Sequence, residues 1–332
     1  MLDFSKSPLP ISQTLPVMDY TPFAFVESVA SLISDISDLV PAVFPSKWEY
    51  AFQQQKEKRE TFGLFLKSDP STENPVFHYQ FVKTTPTSQI EYDPRETISY
   101  NELMQKDLNL VRINTISICI DNRNAFLEAK WTQIRSEQFF EGLIKFAASM
   151  LDERKSSNSL HLQMEPQFAE HMAAVQRIVF SRPFYNLEID FYGEDSEVFL
   201  RNSLKKENLQ SVRLVGAWPA SLKDDIFECL KSASTVPEIS IDSASSIVFG
   251  LEFYSKLVEL FHVKKLVAQV FTVPFTDEAI EGIFQKTDVG ARQEVLTKGV
   301  KTKMLQATNV GGGIVIIEVA TKIPTSIVHT IL

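Results

Sequence analysis

Residues 184–214 read FYNLEIDFYGEDSEVFLRNSLKKENLQSVRL, and this stretch decides the fold class. It begins and ends with the same pattern: an apolar residue, two others, an apolar residue, one other and an apolar residue. The first copy is Phe184, Leu187 and Ile189, and the second is Leu209, Val212 and Leu214. Alternation within each copy is typical of a β-strand. A strand pattern that returns after 25 residues, from position 187 to 212, indicates an internal repeat.

The pattern continues on both sides of this stretch. Further copies lie at Ile113/Ile116/Ile118 and Val236/Ile239/Ile241, with a partial copy at Leu160/Leu162 and a worn one at Val263/Leu266/Ala268. From position 160 the middle residue advances by 27, 25, 27 and 27 residues, to 187, 212, 239 and 266. Segments between the strands have helical spacing, as in Leu222, Ile226 and Leu230. Regular strand–helix modules imply parallel strands joined by right-handed crossovers.

The sequence therefore predicts an α/β chain with a leucine-rich-repeat-like solenoid, built from parallel strands with one helix per repeat. A doubly wound sheet also alternates strands and helices, but it needs no constant period and usually opens on a glycine-rich turn. The predicted division of the chain is a loose leader at 1–17, small helices at 18–60, a short antiparallel sheet with a connector at 61–110, the α/β repeats at 111–290, and a C-terminal capping hairpin at 291–332.

Composition narrows the classes of partner and compartment. The net charge of −9 argues against duplex nucleic acid, whose phosphates require clustered Lys and Arg. Two cysteines, Cys119 and Cys229, rule out a disulfide framework, and we interpret both as buried thiols. No apolar run reaches the roughly 18 residues of a membrane span, and residues 1–19 do not resemble a signal peptide. We expect a cytoplasmic or nuclear protein without membrane contact.

The sequence has no motif typical of a catalytic, phosphate-binding or metal-binding site. The glycines at 311–313 are followed by the strand-like Ile314–Ile317, which predicts a turn rather than a phosphate loop. No histidines have metal-ligand spacing, and no Gly-x-Ser-x-Gly elbow occurs. We therefore expect no catalytic residue, no metal and no cofactor. An enzyme whose active site is assembled from distant residues stays as an alternative.

Residues between the apolar positions of each strand should point away from the core. In a solenoid they would line one concave, partner-binding face: Ser117, His161, Glu188, Arg213, Ser240 and Val267. Their mixed charge suits a protein partner. The alternative is a sheet face that is merely solvated.

The segment from Thr21 to Trp48 resembles an F-box. It reads Thr-Pro-Phe-Ala-Phe-Val-Glu-Ser-Val-Ala-Ser-Leu from residue 21, then Asp38-Leu39, then Phe-Pro-Ser-Lys-Trp at 44–48, with Thr21 in place of the usual Leu. Met18 to Phe25 and the phrase Leu-Val-Gly-Ala-Trp-Pro at 214–219 resemble the F-box and F-box-related families expanded in nematodes.

This resemblance implies a substrate-recognition subunit of an SCF-type ubiquitin ligase. The N-terminal helices would bind a Skp-type adaptor, and through it a cullin complex, while the repeats would select an unknown protein substrate. The adaptor-binding residues implied are Pro22, Val26, Val29, Leu32, Leu39 and Trp48. The alternative is a ligase-independent binding scaffold or ligand sensor. Exposure of Val26 and Val29 would favour the ligase, and their packing against residues 61–92 would favour the scaffold.

Overall fold

The computed structural model describes residues 22–32, 46–69, 76–84, 92–119, 131–151, 158–163, 169–232, 237–242, 244–249, 253, 270–274, 285–289, 293–300, 303–311 and 314–320. The chain divides into two compact units. We call Met1–Arg59 with Asp107–Leu110 the helical unit, and Glu60–Lys106 with Val111–Leu332 the sheet unit. The predicted division at residues 18, 61, 111 and 291 stays a prediction.

The α-helices in the described part of the helical unit are α1 (Phe23–Leu32) and α2 (Ser46–Lys58). Pro22 precedes α1, and its carbonyl accepts from the N–H groups of Phe25 and Val26. The side chains of the shared core are Val26, Ala30, Trp48, Ala51 and Phe52. Each is at most 8% exposed, so the two helices stabilise each other by burying apolar surface.

The sheet unit supplies the remaining elements. Its helices are α3 (Tyr100–Leu103), α4 (Glu137–Ser149), α5 (Ala169–Val179), α6 (Glu194–Leu204) and α7 (Lys223–Ser232). Its strands are β1 (Glu60–Asp69), β2 (Val76–Thr84), β3 (Tyr92–Ile98), β4 (Val111–Cys119), β5 (Thr132–Gln133), β6 (Ser159–Gln163), β7 (Asn186–Asp190), β8 (Ser211–Val215), β9 (Glu238–Ile241), β10 (Val270–Pro274), β11 (Gln285–Val289), β12 (Gln293–Val300), β13 (Lys303–Gly311) and β14 (Ile314–Ala320). Short 3₁₀ turns lie at Leu108–Leu110 in the helical unit and Ala220–Leu222 in the sheet unit.

All the strands of the described chain belong to one mixed sheet. Its order is β11-β12-β13-β14-β10-β9-β8-β7-β6-β4-β1-β2-β3, and β5 pairs with β2. Neighbouring strands are parallel in the series β1, β4, β6, β7, β8, β9 and β10. It is antiparallel among β1, β2, β3 and β5, and among β10–β14. The nine strands up to β9 are mostly parallel, as in an α/β fold.

The prediction of a leucine-rich-repeat-like solenoid is wrong. The hairpin β1–β2, expected as a separate antiparallel sheet, joins the repeat strands directly, because β1 pairs in parallel with β4. A spacing of 25–27 residues is the combined length of one strand, one helix and two turns. Any βαβ crossover can have this length, whether or not it belongs to a solenoid. Regular spacing therefore predicted the α/β class and the parallel neighbours correctly, but it could not specify a solenoid.

The two faces of this sheet differ along β4 and β6–β9, whereas at β1 and β2 both faces bury apolar side chains, with Phe65 and Val82 on the second face. On one face the register aligns Leu64, Ile116, Leu160, Leu187, Val212 and Ile239, each at most 2% exposed. Helix α4 packs on this face at β2, since the ring centres of Phe77 in β2 and Phe140 in α4 lie 4.8 Å apart. We call this side the apolar face and the opposite side the polar face.

Candidate functional site

The polar face carries five of the predicted partner-binding residues in a single row. Register pairs run from Ser117 to His161, on to Glu188, then Arg213 and finally Ser240. Paired residues of neighbouring strands point to the same side, so these side chains are adjacent. Their alignment is as predicted, although the concave solenoid surface is not. Val267 lies outside the described residues, and a binding role for the row stays a prediction.

Exposure differs along the row. Ser117 is 3% exposed and so contributes to packing rather than to a surface. The side chains of His161 and Glu188 are 29% and 21% exposed, whereas that of Arg213 is 54% exposed. Ser240 is half-buried. The accessible part of the row is therefore centred on Arg213.

Glu188 is the centre of the polar contacts on this face. Gln163 donates to its Oε1 from 2.6 Å, and its Oε2 lies 3.3 Å from His161 Nδ1. Arg213 Nη1 is 3.6 Å from Oε1. The hydrogen bond with His161 is the largest cause that lowers the pKa of Glu188, and burial acts in the opposite direction. The carboxylate is therefore held ionised at neutral pH.

The second ring nitrogen of His161, Nε2, does not contact Glu188. Nε2 is buried and makes no hydrogen bond with any described residue. When Nδ1 carries the hydrogen donated to Glu188, Nε2 carries the lone pair. The contact with Glu188 therefore fixes the orientation of the His161 ring.

Cys119 is the residue of this face that the sequence interpretation missed. It is half-buried, while Cys229 is 3% exposed, so the prediction of two buried thiols is wrong for Cys119. Its Sγ lies 3.3 Å from Ser117 Oγ. Aligning the repeat copies would have revealed it, because Cys119 stands at the position that Gln163 has in the next strand.

The residues assigned to adaptor binding do not share one surface. Val26 is 0% and Trp48 8% exposed, and both belong to the core between α1 and α2. Val29 is half-buried against the same core, and Pro22 is exposed. Leu32 is the last residue of α1, and Leu39 lies outside the described residues. Neither valine is therefore an exposed residue, since both pack on the core between α1 and α2.

A different set of side chains in the helical unit is accessible. Phe23, Phe25 and Tyr50 are 37%, 56% and 55% exposed, and the rings of Phe23 and Tyr50 lie 5.8 Å apart. We use the name aromatic patch for these three residues: the ring contact joins Phe23 to Tyr50, and Phe25, two residues from Phe23, lies on another side of α1. Sequence spacing did not single it out, because which apolar residues of α1 face outward depends on how α2 packs.

Two other kinds of site are absent from the described residues. In the ranges that the structure describes, no group of three or more His, Cys, Asp or Glu residues could hold a metal ion. None of the helices in those ranges combines the length and hydropathy needed to cross a bilayer.

Comparison with protein-family models, curated proteins and solved structures found no match for this chain. The F-box resemblance and the partners it implies therefore stay predictions.

Proposed function

We propose that this protein is a substrate receptor of the F-box type, which binds two proteins and catalyses no reaction itself. The helical unit binds a Skp-type adaptor, and through it a cullin complex, while the sheet unit binds a protein destined for ubiquitination. The observation that supports this is the division of the chain into two compact units, each with its own accessible surface. The aromatic patch belongs to the first unit and the polar row to the second.

Adaptor binding is assigned to the aromatic patch rather than to the buried valine. Exposed aromatic side chains carry much of the binding energy at protein interfaces. Phe25 and Tyr50 are each more than half exposed, whereas Val26 and Trp48 hold the helices together. The residues of the F-box-like segment thus divide into those that maintain the helical pair and those that contact the adaptor.

Substrate binding is assigned to the accessible part of the polar row. Arg213 offers a cation beside the ionised Glu188, with His161 and Gln163 around it. Paired charges of opposite sign suit a protein surface better than a uniformly anionic polymer. With a net charge of −9, we expect neither nucleic acid nor a membrane as partner, and we place the protein in the cytoplasm or nucleus.

Direct binding of the purified full-length chain to a purified Skp-type adaptor tests the proposal. We expect binding in solution, weakened about 30-fold by Phe25→Asp, because loss of an aromatic contact at an interface costs roughly 2 kcal/mol. The matched control is Val198→Asp on α6, since Val198 is 50% exposed but belongs to the sheet unit. Calorimetry should show unchanged affinity for the control, and absence of wild-type binding would contradict the ligase role.

A second candidate function is a ligase-independent scaffold or ligand sensor. One observation favours it: Val26 and Trp48, both assigned to the adaptor by the resemblance, are at most 8% exposed. Under this alternative the wild-type chain fails to bind the adaptor, yet still retains a partner that Arg213→Glu releases.

A further inference from the structure

We draw no further inference here: the strongest candidate, the side-chain amide of Gln80 on β2, which is 1% exposed and has no hydrogen-bond partner in the described residues, carries nothing because it lies beside the buried Phe65 and Val82 and nothing in the structure shows what covers it.

Discussion

Leu187 and Glu188 are neighbours in β7, yet they belong to opposite faces of the sheet with opposite roles. Leu187 is 2% exposed and lies in register with Leu160 and Val212 on the apolar face. Glu188 faces the other way, toward His161 and Arg213. Along β7, buried residues of one face therefore stabilise the fold, while the other face presents partly exposed charged groups. That second face is not polar throughout, since Phe65 and Val82 are buried on it at β1 and β2.

The largest effect should come from the apolar face. Leu187→Ala removes buried carbon atoms and leaves a cavity, so we expect the free energy of unfolding to fall by about 2–5 kcal/mol. Urea denaturation followed by circular dichroism measures it. A loss under about 1 kcal/mol would show that this face is not tightly packed.

An intermediate effect is expected at Glu188. Replacing it by Gln removes the charge that strengthens the hydrogen bonds from His161 and Gln163, which should cost about 1 kcal/mol at neutral pH. Denaturation of Glu188→Gln beside the wild type gives the difference.

The pH dependence of the stability difference between the wild type and Glu188→Gln is the control for this prediction. The pKa of folded Glu188 is lowered from 4.5, chiefly by the hydrogen bond with His161. Its stabilisation is therefore complete above pH 4.5 and is lost as the pH falls through the folded pKa. The gap between wild type and Glu188→Gln should narrow as the pH falls below 4.5 through the folded pKa, and a gap that does not narrow in acid would contradict the assignment.

The smallest effect should come from Arg213. Its side chain is 54% exposed, and its contact with Glu188 is 3.6 Å long. Solvent screens such a pair, so Arg213→Ala should change the free energy of unfolding by no more than about 0.5 kcal/mol. A larger loss in the same denaturation assay would mean that the polar face also holds the fold together.

The same contrast explains how much the sequence could predict. Alternation and period were enough to identify the apolar residues of β6–β9 and to align Ser117 through Ser240 in one row, because strand periodicity is local information. Parallel pairing of β1 with β4 joins segments separated by β2 and β3, and no local pattern specifies it. The repeat spacing therefore led to the prediction of a solenoid, whereas the observed fold is a mixed sheet.

The candidate sites follow the same rule. The F-box resemblance implied an adaptor-binding role for Val26, but the burial of Val26 depends on Trp48 and Phe52 in a different helix. The neighbours of Cys119 in the sheet, Lys67 and Gln163, depend on strand register. Contacts between elements, rather than residue types, decide which side chains are accessible.

The central claim is that one chain holds two proteins through two separate surfaces. Quantitative mass spectrometry after affinity purification of full-length wild type, Phe25→Asp and Arg213→Glu tests it most directly. We expect Phe25→Asp to lose the Skp-type adaptor and cullin while keeping other partners, and Arg213→Glu to do the reverse. Loss of the same proteins from both variants, or from neither, would contradict the two-surface account.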